Sequence, residues 1–141
     1  MNTISATDAR KEWSSVIDSV VREKPQMITR TRDTMWMSSL DTIKDILIGY
    51  TFTAEKFIEP DFSVTISLNE IDLVEHAQTE EEARLRMAKA IIAYAEDFYK
   101  DYAYWSKAEN RKSHIPYVFK ALLIGDEVKL GEEIECRDGK N

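Results

Sequence analysis

The sequence is poor in cysteine, glycine, proline and histidine, and it has no long apolar run. It holds one cysteine, four glycines, three prolines and two histidines among 141 residues. The lone Cys136 excludes an intrachain disulfide, and we therefore expect a cytoplasmic protein. Apolar runs such as Ala90–Ala95 are far shorter than the roughly 20 residues of a membrane span. No basic segment followed by an apolar stretch opens the sequence, so we expect neither a signal peptide nor a membrane partner.

The same scarcities argue against catalysis. The four glycines form no phosphate-binding loop, and Cys136 has no second cysteine to make a CxxC pair. His76 and His114 are 38 residues apart and lack the neighbouring ligands of a metal site. Because no nucleophile, base or metal constellation can be assembled, we expect no enzymatic activity, no metal and no cofactor.

Charge is distributed unevenly along the chain. The net charge is −7, yet residues 1–48 carry seven basic and seven acidic side chains. The remaining 93 residues carry 12 basic and 19 acidic side chains, so they hold the whole excess. A neutral first part with local arginine clusters is compatible with a phosphate backbone, whereas an acidic second part favours a basic protein partner.

Residues 1–48 have the pattern of an α+β module with the order β-α-β-β-α. Thr7 is a candidate N-cap for the first helix, with Asp8 in its first turn. Pro25 ends that helix, and Gly49 ends the second helix. The predicted elements are a strand at Ile4–Ser5, a helix from Ala9 to about Arg22, strands at Gln26–Arg30 and Thr34–Ser38 with a turn at Thr31–Asp33, and a helix from Leu40.

Residues 49–141 predict a second module, β-β-β-α followed by a C-terminal helix. Thr79 and Glu82 form a capping box at the start of a long helix, in whose first turn the run Glu80–Glu82 favours the helix dipole. The expected strands cover 50–55, 62–68 and 71–77, the last helix covers Tyr117–Ile124, and a terminal strand covers Val128–Glu135. The long helix carries an aromatic stripe that we assign to core and interface, with a base-stacking platform as the alternative. The stripe consists of Tyr94, Phe98, Tyr99, Tyr102, Tyr104 and Trp105.

Several short motifs of the first module follow one another in a recognisable order. Thr7-Asp-Ala-Arg10 precedes a serine-containing amphipathic helix, and Ile28-Thr-Arg30 and Met37-Ser-Ser-Leu40 follow it. This ordered set resembles the Phd/YefM family of antitoxins and covers about a third of the chain. The resemblance implies that residues 1–48 form a homodimer, or a higher oligomer, that binds the operator of its own operon.

The same resemblance implies a set of DNA-binding residues. A helix N-terminus and the hydroxyls beside it suit a phosphate, and arginines at a hairpin can fix the register on DNA or contact a guanine edge. The alternative interpretation is that these arginines are solvated surface charges and that Thr7 only caps its helix. The family's hairpin usually carries a glycine in a basic turn, whereas the hairpin Thr31-Arg-Asp-Thr34 is one position shorter and has an added acidic residue. The candidate residues are Ser5, Thr7, Arg10, Arg30 and Arg32.

The second module has a resemblance of its own. Phe62-Ser-Val-Thr-Ile-Ser-Leu68, then Leu73-Val-Glu-His-Ala-Gln-Thr-Glu-Glu-Glu-Ala83 and a long helix, resemble the core of HicB-like antitoxins. Both resemblances imply an antitoxin of a type II toxin–antitoxin system, which binds its toxin through residues 49–141 and represses its operon through residues 1–48. A RelE-like RNA-cleaving toxin is the expected partner. A dimeric protein-interaction or ligand-sensing adaptor without DNA binding is the alternative.

Overall fold

The computed structural model describes residues 2–140 and has an α+β fold, as the sequence predicts. The chain is divided into two compact units, Met1–Ile46 and Leu47–Asn141. Each unit has its own sheet and its own hydrophobic core. No helix among the described residues is both long enough and apolar enough to cross a membrane.

The first unit contains a three-stranded mixed sheet with the strand order β1-β2-β3. Strand β1 pairs parallel to β2, and β3 pairs antiparallel to β2. The first two helices cover the sheet. The first helix contributes Ala9 and the second contributes Val16 and Val20 to a core that includes Ile28 of β2. The elements are β1 (Thr3–Ser5), α1 (Ala6–Lys11), α2 (Trp13–Arg22), β2 (Gln26–Arg30), β3 (Asp33–Met37) and α3 (Leu40–Ile46).

The first helix differs from its prediction in two ways. Its N-cap is Ser5, whose hydroxyl accepts a hydrogen bond from the Asp8 backbone N–H at 3.1 Å, so the predicted cap Thr7 lies inside α1. The helix starts earlier because Ser5, the last residue of β1, is extended and already places its side chain over the first turn. At Glu12 the backbone leaves the helical region (φ −112°, ψ 36°), which divides the predicted single helix into α1 and α2.

The second unit contains a four-stranded mixed sheet with the strand order β6-β5-β4-β7. The first three strands of the unit pair antiparallel, and the last strand returns parallel to β4 at the edge. The elements are β4 (Thr53–Ile58), β5 (Val64–Leu68), β6 (Val74–Ala77), α4 (Glu80–Lys100), α5 (Tyr102–Trp105), a 3₁₀ turn (Lys112–His114), α6 (Ile115–Ile124), α7 (Glu127–Glu133) and β7 (Glu135–Asp138).

Helix α4 is the centre of the second core. The Thr79 hydroxyl caps it as predicted, accepting a hydrogen bond from the Glu82 N–H at 3.1 Å. One face of α4 is fully buried against the sheet and against α6 and α7. The buried residues of this helix are Ala83, Met87, Ala88, Ile91, Ala95 and Phe98.

The end of the chain contradicts the predicted strand over Val128–Glu135. Most of this segment is helix α7, and β7 begins only at Glu135. Asp126 decides the outcome, because its carboxylate caps the helix by accepting a hydrogen bond from the Lys129 N–H at 2.8 Å. Leu130 and Ile134, four residues apart, then lie together in the core.

Candidate nucleic-acid interface

One edge of the first sheet collects most of the predicted DNA-binding residues. Ser5 of β1 is in register with Thr29 of β2, and the two strands run parallel. Both strands therefore end at the same edge, which places the N-terminus of α1 beside Arg30, the last residue of β2. Ser5 and Thr7 are exposed there, and the first turn of α1 presents backbone N–H groups.

The hairpin at this edge holds the two arginines differently from the prediction. Arg30 pairs with Asp33 across β2 and β3, and their side chains form an exposed ion pair at 3.0 Å. The turn is Thr31–Arg32, with Thr31 at a positive φ of 54°, so β3 starts one residue earlier than predicted. Arg32 therefore lies in the turn, whereas the i, i+2 spacing of the two arginines predicts that both lie on one extended segment.

Arg10 lies in the last turn of α1. It is exposed on α1 and lines an open groove with a volume of about 610 Å³ over the face of the sheet. The other side chains lining this groove are mostly large and apolar, among them Trp13 and Trp36. The structure thus brings Ser5, Thr7 and the hairpin arginines to one edge and places Arg10 beside an apolar surface.

That apolar surface is a feature that the sequence patterns did not predict. Trp36 has 55% of its surface exposed, and every residue of β3 before Met37 is exposed. Helix α3 buries none of its residues. A signal was present, because Met35-Trp-Met37 places three large apolar residues in succession and the two faces of a strand alternate. The exposed apolar residues of the first unit are Trp13, Ile17, Val21, Met35, Trp36, Leu40 and Ile46.

A serine–histidine contact in the second unit does not have the geometry of a catalytic triad. The Oγ atom of Ser63 lies 2.6 Å from Nε2 of His76, but Ser63 has only 1% of its surface exposed. The Asp61 carboxylate accepts hydrogen bonds from the hydroxyl and from the backbone N–H of Ser63, and not from the His76 imidazole. Both hydrogen bonds lower the pKa of Asp61, and the one from the Ser63 hydroxyl has a larger effect than the one from the Ser63 backbone N–H. The group fastens the β4–β5 hairpin to β6.

The tip of that hairpin carries Phe62. This residue has 83% of its surface exposed and a φ of 68°, a conformation that bulky side chains rarely adopt. The sequence alternation places Phe62 in the following strand, so no pattern predicts this conformation.

His114 belongs to a second polar group. It is buried, and its Nδ1 lies 2.6 Å from the Tyr94 hydroxyl, which also accepts a hydrogen bond from Arg111 at 3.2 Å. Burial lowers the pKa of His114, and the Arg111 charge lowers it further.

Cys136 is half-buried, and burial raises the pKa of its thiol. Within residues 2–140, no three His, Cys, Asp or Glu side chains are grouped to hold a metal ion.

The aromatic stripe is divided between core and surface. Phe98 is buried and Tyr102 packs against the same core, whereas Tyr99 and Tyr104 are exposed. Arg111 stacks over the rings of Tyr94 and Trp105, with its guanidinium carbon 5.8 and 5.7 Å from their centroids. These contacts order the polar loop after α5.

Two comparisons with known proteins bear on this arrangement. A PHD-like family model, described as antitoxin of toxin–antitoxin, RelE/RelB, TA system, matches residues 1–135. A crystal structure from Syntrophomonas wolfei subsp. wolfei, described as an antitoxin part of a proposed toxin/antitoxin system, is 33% identical with a TM-score of 0.92. The alignment covers 99% of this chain and 100% of that one. The search of functionally curated proteins gave no significant match.

Proposed function

Because this chain belongs to the PHD-like family of antitoxins of toxin–antitoxin systems, we propose that it neutralises a cognate toxin by direct binding. Direct binding of the toxin by the antitoxin protein is the type II mechanism. In the same proposal, the protein also represses its own operon as a DNA-binding homodimer in the cytoplasm. The family description names RelE, which supports a RelE-like RNA-cleaving toxin as the partner. The protein performs no chemistry of its own: residues 1–48 bind DNA and dimerise, and residues 49–141 bind the toxin.

The exposed apolar surface of the first unit supports dimerisation. A core of four buried residues, Ala9, Val16, Val20 and Ile28, is small for an independent unit of this length. Trp13 and Trp36 line a groove that remains open within one chain. Covering the groove with a second copy would remove these side chains from water and supply the missing burial.

The shared sheet edge is the observation that carries the DNA-binding part of the proposal. The start of α1 offers N–H groups and hydroxyls to a phosphate, while Arg30 and Arg32 lie at the neighbouring hairpin. In a dimer, two such edges would be presented together, which matches the two-fold symmetry of an operator. Asp33 holds Arg30 in the free protein, so DNA binding requires this exposed ion pair to open.

The test is fluorescence anisotropy with the DNA duplex upstream of the start codon of this gene. Arg30→Ala and Arg32→Ala are each expected to weaken binding, by about 1–3 kcal/mol if the side chain reads a base and with a smaller salt dependence if it contacts a phosphate. Arg22→Ala is the matched control, because Arg22 precedes β2 at the opposite edge and pairs with Asp18. Equal, weak binding to the operator and to a shuffled duplex, with the toxin present as well, would contradict repression.

The second candidate function is a dimeric interaction or ligand-sensing adaptor that does not bind DNA. The Arg30–Asp33 ion pair favours it, because it partly neutralises the hairpin. If the wild type binds the operator weakly and Asp33→Asn binds it with the same affinity, the adaptor is favoured. Repression predicts tighter binding by Asp33→Asn, since Arg30 is then released and one repulsive carboxylate is gone.

A further inference from the structure

An open groove lies in the second unit between the start of α4 and helix α7. Its volume is about 330 Å³, which falls at the lower end of the range for sites that take a ligand or side chain. The groove lies far along the chain from the predicted DNA-binding residues, on the acidic part of the protein.

The floor of the groove is apolar and incompletely covered. Val128 has 61% of its surface exposed, and Leu85 is half-buried. Gly131 allows α7 to pass close to α4, since a Cβ atom there would lie 3.4 Å from the carbonyl oxygen of Arg84. Gly131 itself lines the groove together with Val128 and Leu85.

The rim of the groove is acidic. Glu81 and Glu82 lie in the first turn of α4, and Glu132 lies in the last turn of α7. None of the three forms an ion pair within 4 Å among residues 2–140. Glu132 even opposes the dipole of its own helix, so its charge does not help α7 to form.

The one cation that lines the groove, among the residues described, is already engaged. The Nε atom of Arg84 lies 3.4 Å from a carboxylate oxygen of Glu80, and its Nη1 donates to the carbonyl of Ile134. Both partners lie outside the set of residues that line the groove. The rim therefore keeps its negative charge directly above an apolar floor.

We propose that this groove receives a lysine or arginine side chain of the toxin, carried on an apolar segment. The stem of such a side chain would cover Val128 and Leu85, while its cationic head would lie between Glu81 and Glu132. The inference rests on the proposed function, because it assigns part of the surface that binds the toxin.

Charge argues for a basic toxin and against a second copy as the occupant. The whole excess of seven negative charges lies in residues 49–141, so two of these units repel each other. A basic partner is attracted by the same field, and a charged rim raises its association rate.

The test is calorimetric titration of the full chain with the toxin encoded beside it, used in a catalytically inactive form. The double variant Glu81→Gln/Glu132→Gln is expected to bind about tenfold more weakly at low salt, with a smaller dependence on salt concentration. The matched control is Glu96→Gln/Asp97→Asn, which removes two exposed carboxylates from a later turn of α4. The groove is not the site if the double variant binds like the wild type or if the control loses as much.

A second variant tests the floor. Val128→Lys supplies a cation of the chain's own to the groove, and Val128→Ile preserves its apolar character at a position exposed enough to accept both. Toxin binding should weaken for the lysine variant and not for the isoleucine variant. Light scattering on the same samples would overturn the inference if Val128→Lys changed the oligomeric state, because the occupant would then be a second copy. Failure of the wild type to bind the toxin contradicts the proposed function itself, whereas intact binding by the groove variants contradicts only this site.

Discussion

At the scale of the residue, His114 is a buried side chain whose charge state bears on the fold. It is buried, with Tyr94 at its Nδ1 and Arg111 nearby, and only the more weakly acting Asp72 carboxylate favours its charged form. Burial and Arg111 together favour the neutral imidazole over the imidazolium. His114 and Tyr94 thus join the 3₁₀ turn to α4 through a histidine whose neutral form is favoured by its surroundings.

This lowered pKa makes stability depend on pH in one direction. Below about pH 6.5 the unfolded chain takes up a proton at His114 that the folded protein resists, so acidification favours unfolding. We expect the free energy of unfolding to fall by at most about 1.4 kcal/mol per pH unit from this group, continuing down to its folded pKa. Urea unfolding between pH 5 and 8 measures the dependence.

His114→Gln should reduce the dependence of the free energy of unfolding on pH below about pH 6.5, even if the variant is less stable at every pH. An equal slope for wild type and His114→Gln would show that His114 is not the group responsible.

At the scale of the element, the sequence predicted the helices and strands whose formation depends on residues close together in the chain. Strand β5 alternates Val64, Ile66 and Leu68 with polar residues because one face of its sheet is buried, and the same alternation is visible in the sequence. Helix α7 escaped prediction because Val128 and Leu130 alternate in the same way. Its identity depends on the Asp126 cap and on packing against α4, and such packing is not local.

The candidate site shows the same limit. The candidate DNA-binding residues could be named from motifs, but their grouping depends on the parallel register of Ser5 with Thr29, which joins segments 24 residues apart. Arg10 lines the groove over the face of the sheet, beside Trp36. Single positions with unusual backbone angles, such as Phe62, have no sequence signal at all.

Close packing of α4 and α7 gives a prediction at this scale. A Cβ atom at Gly131 would lie 3.4 Å from the carbonyl oxygen of Arg84, and a larger side chain would add further atoms beside this backbone. A backbone cannot move aside as a flexible side chain can. Gly131→Val is expected to cost about 1–3 kcal/mol in the free energy of unfolding. Thermal and urea denaturation measure the loss, with Gly49→Val as the control because a Cβ at Gly49 meets nothing within 4 Å. A variant at Gly131 as stable as the wild type would contradict this account of the packing.

At the scale of the whole molecule, the two units have unequal cores. Among the described residues, the second unit buries 17 hydrophobic residues in one cluster, whereas the first buries four. The proposed dimer would compensate for the smaller core, so stability of the first unit should depend on protein concentration while that of the second should not.

Two unfolding transitions are therefore expected, and only the lower one should move with concentration. Trp13 and Trp36 are exposed in the first unit, so their fluorescence reports on its association, while Trp105 belongs to the second unit. Raising the concentration a hundredfold should shift the lower midpoint upward and move the emission to shorter wavelength. Trp36→Glu should abolish both effects, and a single transition independent of concentration would contradict the dimer.

The placement of β7 has a consequence for synthesis on the ribosome. This strand closes the second sheet against β4, and it is formed by residues 135–138, which are translated long after β4. The first unit is complete after Ile46, so it leaves the ribosome while the second unit still lacks an edge. At ordinary elongation rates this interval lasts roughly 5–20 s, long enough for neighbouring nascent chains on one messenger to meet through their first units. The order of the elements thus allows pairing to begin during translation, before the acidic unit exists in folded form.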